Sequence, residues 1–223
     1  MEQLKNIIQF KKTNICLSAD LTDFNELVKL IDKIGKYICA IKLHSDITNM
    51  CPKMCSELSK KYNFMIIDDR KFCDIGNTVA LQSDRITKYA DFITVHSISG
   101  PGVITGLREN CIKNNCKILL IAQMSTSDNL IDEEYTRKTV EMALCNRDVV
   151  AGFICQQQLV PKDTGLLHFA PGCQLNTKSD KLGQKYNTPN ELLAKGIDVL
   201  IVGRGIYAQD DPVKSIQNYI NLC

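Results

Sequence analysis

A chain of 223 residues with 44% hydrophobic and 23% charged side chains has the composition of a globular protein with room for one substantial core. A formal net charge of +2 argues against a nucleic-acid binder, whose footprint is a strongly basic face, and no apolar run reaches the roughly 18 to 20 residues of a membrane span. Residues 1–12 are charged at both ends and lack the apolar core of a signal peptide, so the eleven cysteines are expected to be reduced and the protein cytoplasmic.

Eight short apolar runs are predicted as strands, at 14–19, 37–43, 64–68, 92–95, 117–122, 149–155, 166–170 and 199–202. Between them, segments 24–34, 79–89, 103–114 and 133–145 repeat apolar residues every three or four positions, the period of helices that lay one face on a sheet. The sixth crossover, 156–165, is shorter than a parallel connection usually needs, which predicts a long loop with little helix. Eight such units in one domain-sized chain predict an α/β fold: a closed parallel (β/α)8 barrel, the TIM-barrel architecture, as a single domain over 1–223. Cys16, Cys39, Cys155 and Cys173 fall in or beside strands, where a thiol acts as a small hydrophobe. Cys51 with Cys55, and Cys111 with Cys116, lack the second half of a four-ligand zinc signature, so no metal site is expected.

In a barrel of this kind, catalytic groups come from the carboxyl ends of several strands. Those positions hold Ser18 and Asp20, Lys42 and His44, Asp69 and Lys71, His96, Gln123 and Ser125, Pro171 and Gln174, then Gly203-Arg204-Gly205. Alternation along a strand places Asp69 and Lys71 on one face, while Asp74 lies beyond the strand on another path. Two carboxylates held near one ammonium keep a lysine charged and repel any third anion brought among them, which suits the expulsion of a carboxylate. A single such pair is more often a solvated ion pair worth about 0 to 1 kcal/mol; recurrence at successive strand ends favours a site. After the last strand, glycines let backbone amides approach a ligand and Arg204 offers a planar fork for phosphate. His168, in the middle of the seventh strand, reads as a satisfied core histidine.

The set of motifs is more specific than any one of them. Ser18-Ala-Asp20, Lys42-Leu-His44-Ser-Asp46, Asp68-Asp69-Arg-Lys71-Phe-Cys-Asp74-Ile75-Gly-Asn-Thr78, Ser99-Gly-Pro-Gly102, Gln123-Met-Ser125, Pro171-Gly172-Cys-Gln174, Leu182-Gly-Gln184-Lys-Tyr186 and Gly203-Arg204-Gly205 follow in order. Together they resemble the orotidine 5'-monophosphate decarboxylase family over nearly the whole chain. The resemblance implies a cofactor-free conversion of orotidine 5'-monophosphate to UMP and CO2 by a charged tetrad of Lys42, Asp69, Lys71 and Asp74, with Lys71 delivering the proton. It implies a homodimer in which Asp74, Ile75 and Thr78 cross to the neighbouring site. Asp20 and Lys42 would meet the ribose, Ser125 and Gln174 the pyrimidine, and Gln184, Tyr186, Gly203 and Arg204 the 5'-phosphate. Ser18, His44 and Pro171 would complete the substrate-binding set. Residues 182–186 would form a lid, and the chain would act without a fused second enzyme. Gln123, Ala19 and Asp68 depart from residues common in the family. Two rivals remain open at this point: a Mg²⁺-dependent sugar-phosphate decarboxylase or aldolase of the same suprafamily, and a non-catalytic barrel that binds a phosphate ligand.

Overall fold

In the computed structural model, which describes residues 1–176 and 183–223, eight parallel strands close into a barrel in sequential order, the last pairing with the first. The strands are β1 Ile15–Ser18, β2 Ala40–Leu43, β3 Met65–Phe72, β4 Phe92–His96, β5 Lys117–Ile121, β6 Val150–Ile154, β7 Leu167–Ala170 and β8 Val199–Val202. The helices are α1 Glu2–Lys11, α2 Phe24–Ile34, α3 Pro52–Tyr62, α4 Gly76–Ser83, α5 Gly102–Lys113, α6 Glu133–Leu144, α7 Pro189–Ala194, α8 Arg204–Tyr207 and α9 Pro212–Ile220. The (β/α)8 expectation therefore holds, as does the nearly helix-free sixth crossover, which contains one 3-10 turn at Lys162–Thr164.

Local chemistry explains where these elements start. Asp23 caps α2 by accepting from Asn25 N–H at 2.7 Å, and Leu27, Leu30, Ile31 and Ile34 then recur on the buried face. Thr188 and Glu191 form a reciprocal capping box ahead of α7, and Asp211 with Pro212 opens α9. The expected helix at 79–89 is shorter and earlier, because α4 begins at Gly76 and turns follow it from Asp84. A close packing fixes its position: a Cβ on Gly106 of α5 would lie 2.1 Å from the Gly76 carbonyl oxygen, so only glycine allows these helices to touch.

Two apolar clusters divide the strands by parity. Cys16, Ala40, Met65, Ile67, Phe92, Leu119, Phe169 and Ile201 fill the barrel interior together with Leu4 and Ile7 of α1. Ile15, Leu17, Ile41, Ile66, Ile93 and Leu200 face the surrounding helices. Continuing each inward row upward reaches Ser18, Lys42, Asp69, Thr94 and His96. The same parity turns Asp68 outward, where it is fully buried and accepts hydrogen bonds from Tyr89 Oη and, at 3.1 Å, from Ser45 Oγ.

Burial pushes the Asp68 carboxyl up to about 6, even though both hydrogen bonds favour the charged form. A folded pKa above the unfolded value of 3.8 gives a contribution that is complete below 3.8 and lost as pH rises through about 6. Asp68→Asn should therefore gain on the wild type by up to about 3 kcal/mol between pH 4 and 7.5. Urea unfolding at the two pH values checks this, and parallel stability curves would refute it.

Candidate active site

Asp69 is the hub of the charges at the open end. Its Oδ2 accepts from Lys42 Nζ at 2.7 Å and from Lys71 Nζ at 2.9 Å, and its Oδ1 accepts from Thr94 Oγ1 at 2.8 Å. Burial opposes ionisation of this carboxyl, but the two ammonium groups and their hydrogen bonds outweigh it and hold Asp69 well below the usual carboxylate range. That stabilisation is present above the unfolded value of 3.8 and disappears as pH falls through the lower folded pKa.

Lys71 reaches Asp69 by a route that strand alternation does not describe. The expected end of the third strand at Asp68 is four residues early, and the β3–β4 register shifts between Asp68 and Phe72. Within that irregular stretch Lys71 has φ 54, a left-handed conformation that costs an L residue roughly 1 to 2 kcal/mol. Thr94 stabilises it: its hydroxyl accepts from Lys71 N–H at 3.1 Å and donates to Asp69. Thr94, fully buried, escaped the sequence reading, although its inward parity two residues before His96 was the available signal.

On the other side of Asp69, Lys42 donates to His44 Nε2 at 2.7 Å. His44 is held below its ordinary pKa first by burial and then by the Lys42 charge, so a neutral imidazole accepts this bond. Asp20 lies 3.9 Å from Lys42 and accepts from Ser18 Oγ at 3.1 Å. His96 is likewise lowered by burial and by Lys71. His168 belongs to the core as expected: its ring sits 3.1 Å from Asp198 and accepts from Val160 N–H at 3.4 Å.

A cavity of about 320 Å³ joins these charges to the loops after β5, β7 and β8. It is lined by Ser18, Asp20, Lys42, His44, Asp69, Lys71, Ser125, Pro171, Gln174, Gln184, Tyr186, Gly203 and Arg204 of the expected set. Ile121, Met124, Ile154 and Ile201 add an apolar wall that the strand-end reading did not single out. The loops after β5 and β7 are bound to each other, with Lys185 N–H donating to Ser125 O and Ser127 N–H donating to Gly183 O, both at 2.8 Å. Gly172 is required there, since it has φ +77 and a Cβ would meet Lys185 O at 2.5 Å. At the far end Arg204 donates to Tyr186 Oη at 2.5 Å. Of the expected lid, Leu182 lies outside the described residues.

Asp74, Ile75 and Thr78 do not line this cavity. Asp74 is exposed and accepts from Ile75 N–H at 2.7 Å, and Ile75 is 69% exposed. Among the described residues no three His, Cys, Asp or Glu side chains are grouped to hold a metal ion, and no helix is long and apolar enough to cross a membrane.

A family model described as "Orotidine 5'-phosphate decarboxylase / HUMPS family" matches residues 13–219. The chain belongs to this family. The orotidine 5'-phosphate decarboxylase of Torulaspora delbrueckii is 41% identical over 221 residues, covering 93% of this chain and 84% of its own length. That of Pichia kudriavzevii is 39% identical over 234 residues, covering 97% and 88%. The fold also matches a crystal structure of orotidine 5'-monophosphate decarboxylase from Methanocaldococcus jannaschii complexed with the inhibitor BMP. That match has a TM-score of 0.76 at 23% identity, with 94% of this chain and 97% of the other covered. In this decarboxylase-family member the matched span covers the strands and every charged group that meets Asp69.

Proposed function

We propose that this chain converts orotidine 5'-monophosphate to UMP and CO2, a step of pyrimidine synthesis, with Lys71 as the proton donor to C6 and no cofactor. One observation carries the reading: the Lys71 ammonium is held 2.9 Å from buried Asp69, in a cavity whose other end offers Arg204 and Tyr186. Curated relatives named orotidine 5'-phosphate decarboxylase, 39 to 41% identical over most of the chain, support it.

The chemistry follows from charge. Breaking the bond from C6 to the carboxyl group releases CO2 and leaves the electron pair on an sp2 carbon with no delocalising acceptor. Lys71 then supplies the proton that becomes the C6–H bond. Enzymes typically lower barriers by roughly 8 to 23 kcal/mol, whereas two charges 4 Å apart at an effective dielectric near 20 gain about 4 kcal/mol. Several terms must act together: Asp69 fixed by three hydrogen bonds, Lys71 beside the developing carbanion, and phosphate binding remote from the reacting atom. Asp69, kept ionised by Lys42 and Lys71, also repels the substrate carboxylate while it is still bound.

The fourth charge, Asp74, would come from the partner subunit of a homodimer, with Ile75 and Thr78. Its absence from its own cavity supports this, as do the exposed apolar side chains Ile75 and Ile98, just past β3 and β4, and Leu81 on α4. All eleven cysteines are free and seven are buried, which favours a reducing, cytoplasmic compartment.

Loss of orotidylate absorbance with purified protein, with and without EDTA, tests the reading. Turnover unaffected by EDTA is expected. Turnover abolished by EDTA would favour the Mg²⁺-dependent rival, and nucleotide binding without turnover the non-catalytic one.

A further inference from the structure

The strand ends singled out from the sequence omit the sixth, and β6 gives the cavity only Ile154. Yet the end of β6 is where the surrounding loops meet. Gln156 N–H donates to Gln123 Oε1 at 2.9 Å, and its side-chain Nε2 donates to Pro171 O at 3.0 Å and to Cys155 O at 3.2 Å. Its Oε1 accepts from Asn187 Nδ2 at 3.1 Å. Asn187 is anchored in turn: its N–H donates to Gly172 O at 2.8 Å, its carbonyl accepts from Gln174 N–H at 3.0 Å, and Lys195 Nζ reaches its Oδ1 at 3.1 Å.

Gln156 thus ties together three segments that carry the site, Pro171 and Asn187 through its side-chain amide and Gln123 through its backbone N–H. Gln123 stands two residues before Ser125, Pro171 three before Gln174, and Asn187 directly after Tyr186. We propose that Gln156 is a positioning residue: without lining the cavity, it sets the spacing between the Ser125/Gln174 end and the Gln184–Tyr186 arm through Pro171 and Asn187. The inference deepens the proposed function, since it rests on the cavity being a nucleotide 5'-phosphate site.

The amide is chemically specific for this task. It donates twice and accepts once, and every one of those valences is used. A carboxylate at the same place keeps the acceptor for Asn187 but turns lone pairs toward two carbonyl oxygens. A leucine keeps the volume and removes all three side-chain bonds. Both spare the backbone bond to Gln123.

The test compares wild type, Gln156→Glu, Gln156→Leu and Asn187→Leu. In each variant KM for orotidine 5'-monophosphate should rise about tenfold while kcat stays within about threefold, as expected when a distant contact misplaces binding groups. Gln156→Leu combined with Asn187→Leu should cost less than the sum of the two, because the Gln156–Asn187 bond is common to both. A purely stabilising amide would lower the melting temperature and leave KM unchanged; that result, or additive losses, overturns the proposal. Should Gln156→Leu fail to fold, Asn187→Leu breaks the same bond from the loop side and decides by the same KM criterion. If the wild type does not turn over orotidylate, the functional reading falls, and inorganic phosphate decides the present one. Phosphate should raise the melting temperature of wild type more than that of Gln156→Glu. Equal shifts would overturn it.

Discussion

Lys71→Ala is expected to reduce kcat for orotidine 5'-monophosphate by more than about 10³-fold, with KM changed far less. Among the described residues the ammonium is the one cation that meets Asp69 from the β3 side, and Lys42, on the opposite side, is already engaged by Asp69 and His44. The fold should survive, since the substitution leaves Asp69 bonded to Lys42 and Thr94. Single-turnover kinetics at saturating substrate measures the effect, and a kcat within tenfold of wild type would remove Lys71 from the proposed step.

The same variant probes the dimer. An equal mixture of Lys71→Ala and Asp74→Ala chains, dissociated and reassembled, should recover about a quarter of wild-type activity. Half of the dimers are then mixed, and each mixed dimer holds one site with its own Lys71 and the partner subunit's Asp74. No recovery, with assembly confirmed by sedimentation, would place Asp74 outside its neighbour's site.

Arg204→Ala should act differently, raising KM by about 100-fold with a much smaller loss of kcat. A charge-assisted hydrogen bond to phosphate is worth about 1.5 to 3 kcal/mol, and each 1.4 kcal/mol is tenfold in affinity. Arg204 also orders Tyr186 through their 2.5 Å hydrogen bond, so two groups proposed to hold the phosphate are disturbed by one substitution. Steady-state kinetics separates the two variants. Equal residual turnover for Arg204→Ala and Lys71→Ala at saturation would refute the division into a phosphate end and a reacting end.

Much of the site could be read in advance because a parallel barrel converts sequence position into spatial position. Residues at the carboxyl ends of apolar runs, such as Ser18, Lys42, Asp69 and Gly203, must gather at one rim once the strands are parallel and closed. The starts of α2, α5 and α6 were legible to within one residue for a similar reason, since the apolar period that predicts them is local. Thr94 and Gln156 were not legible. Each works through long-range partners 15 to 33 residues away, and beyond the inward parity of Thr94 neither residue type announces a role at its own position.

By itself the sequence determined the eight βα units, the strand ends that carry charge, and the family motifs in their order, all of which depend on local spacing. Only the tertiary structure decided how the charges meet. Asp69 and Lys71 come together through an irregular, left-handed turn held by Thr94, and not through the plain alternation that their spacing suggested. Asp74, five residues from Asp69 in the chain, lies outside the cavity that Asp69 commands. The reason is physical: strand periodicity fixes which way a residue points only while the register is regular, and register is set by the hydrogen bonds of neighbouring strands.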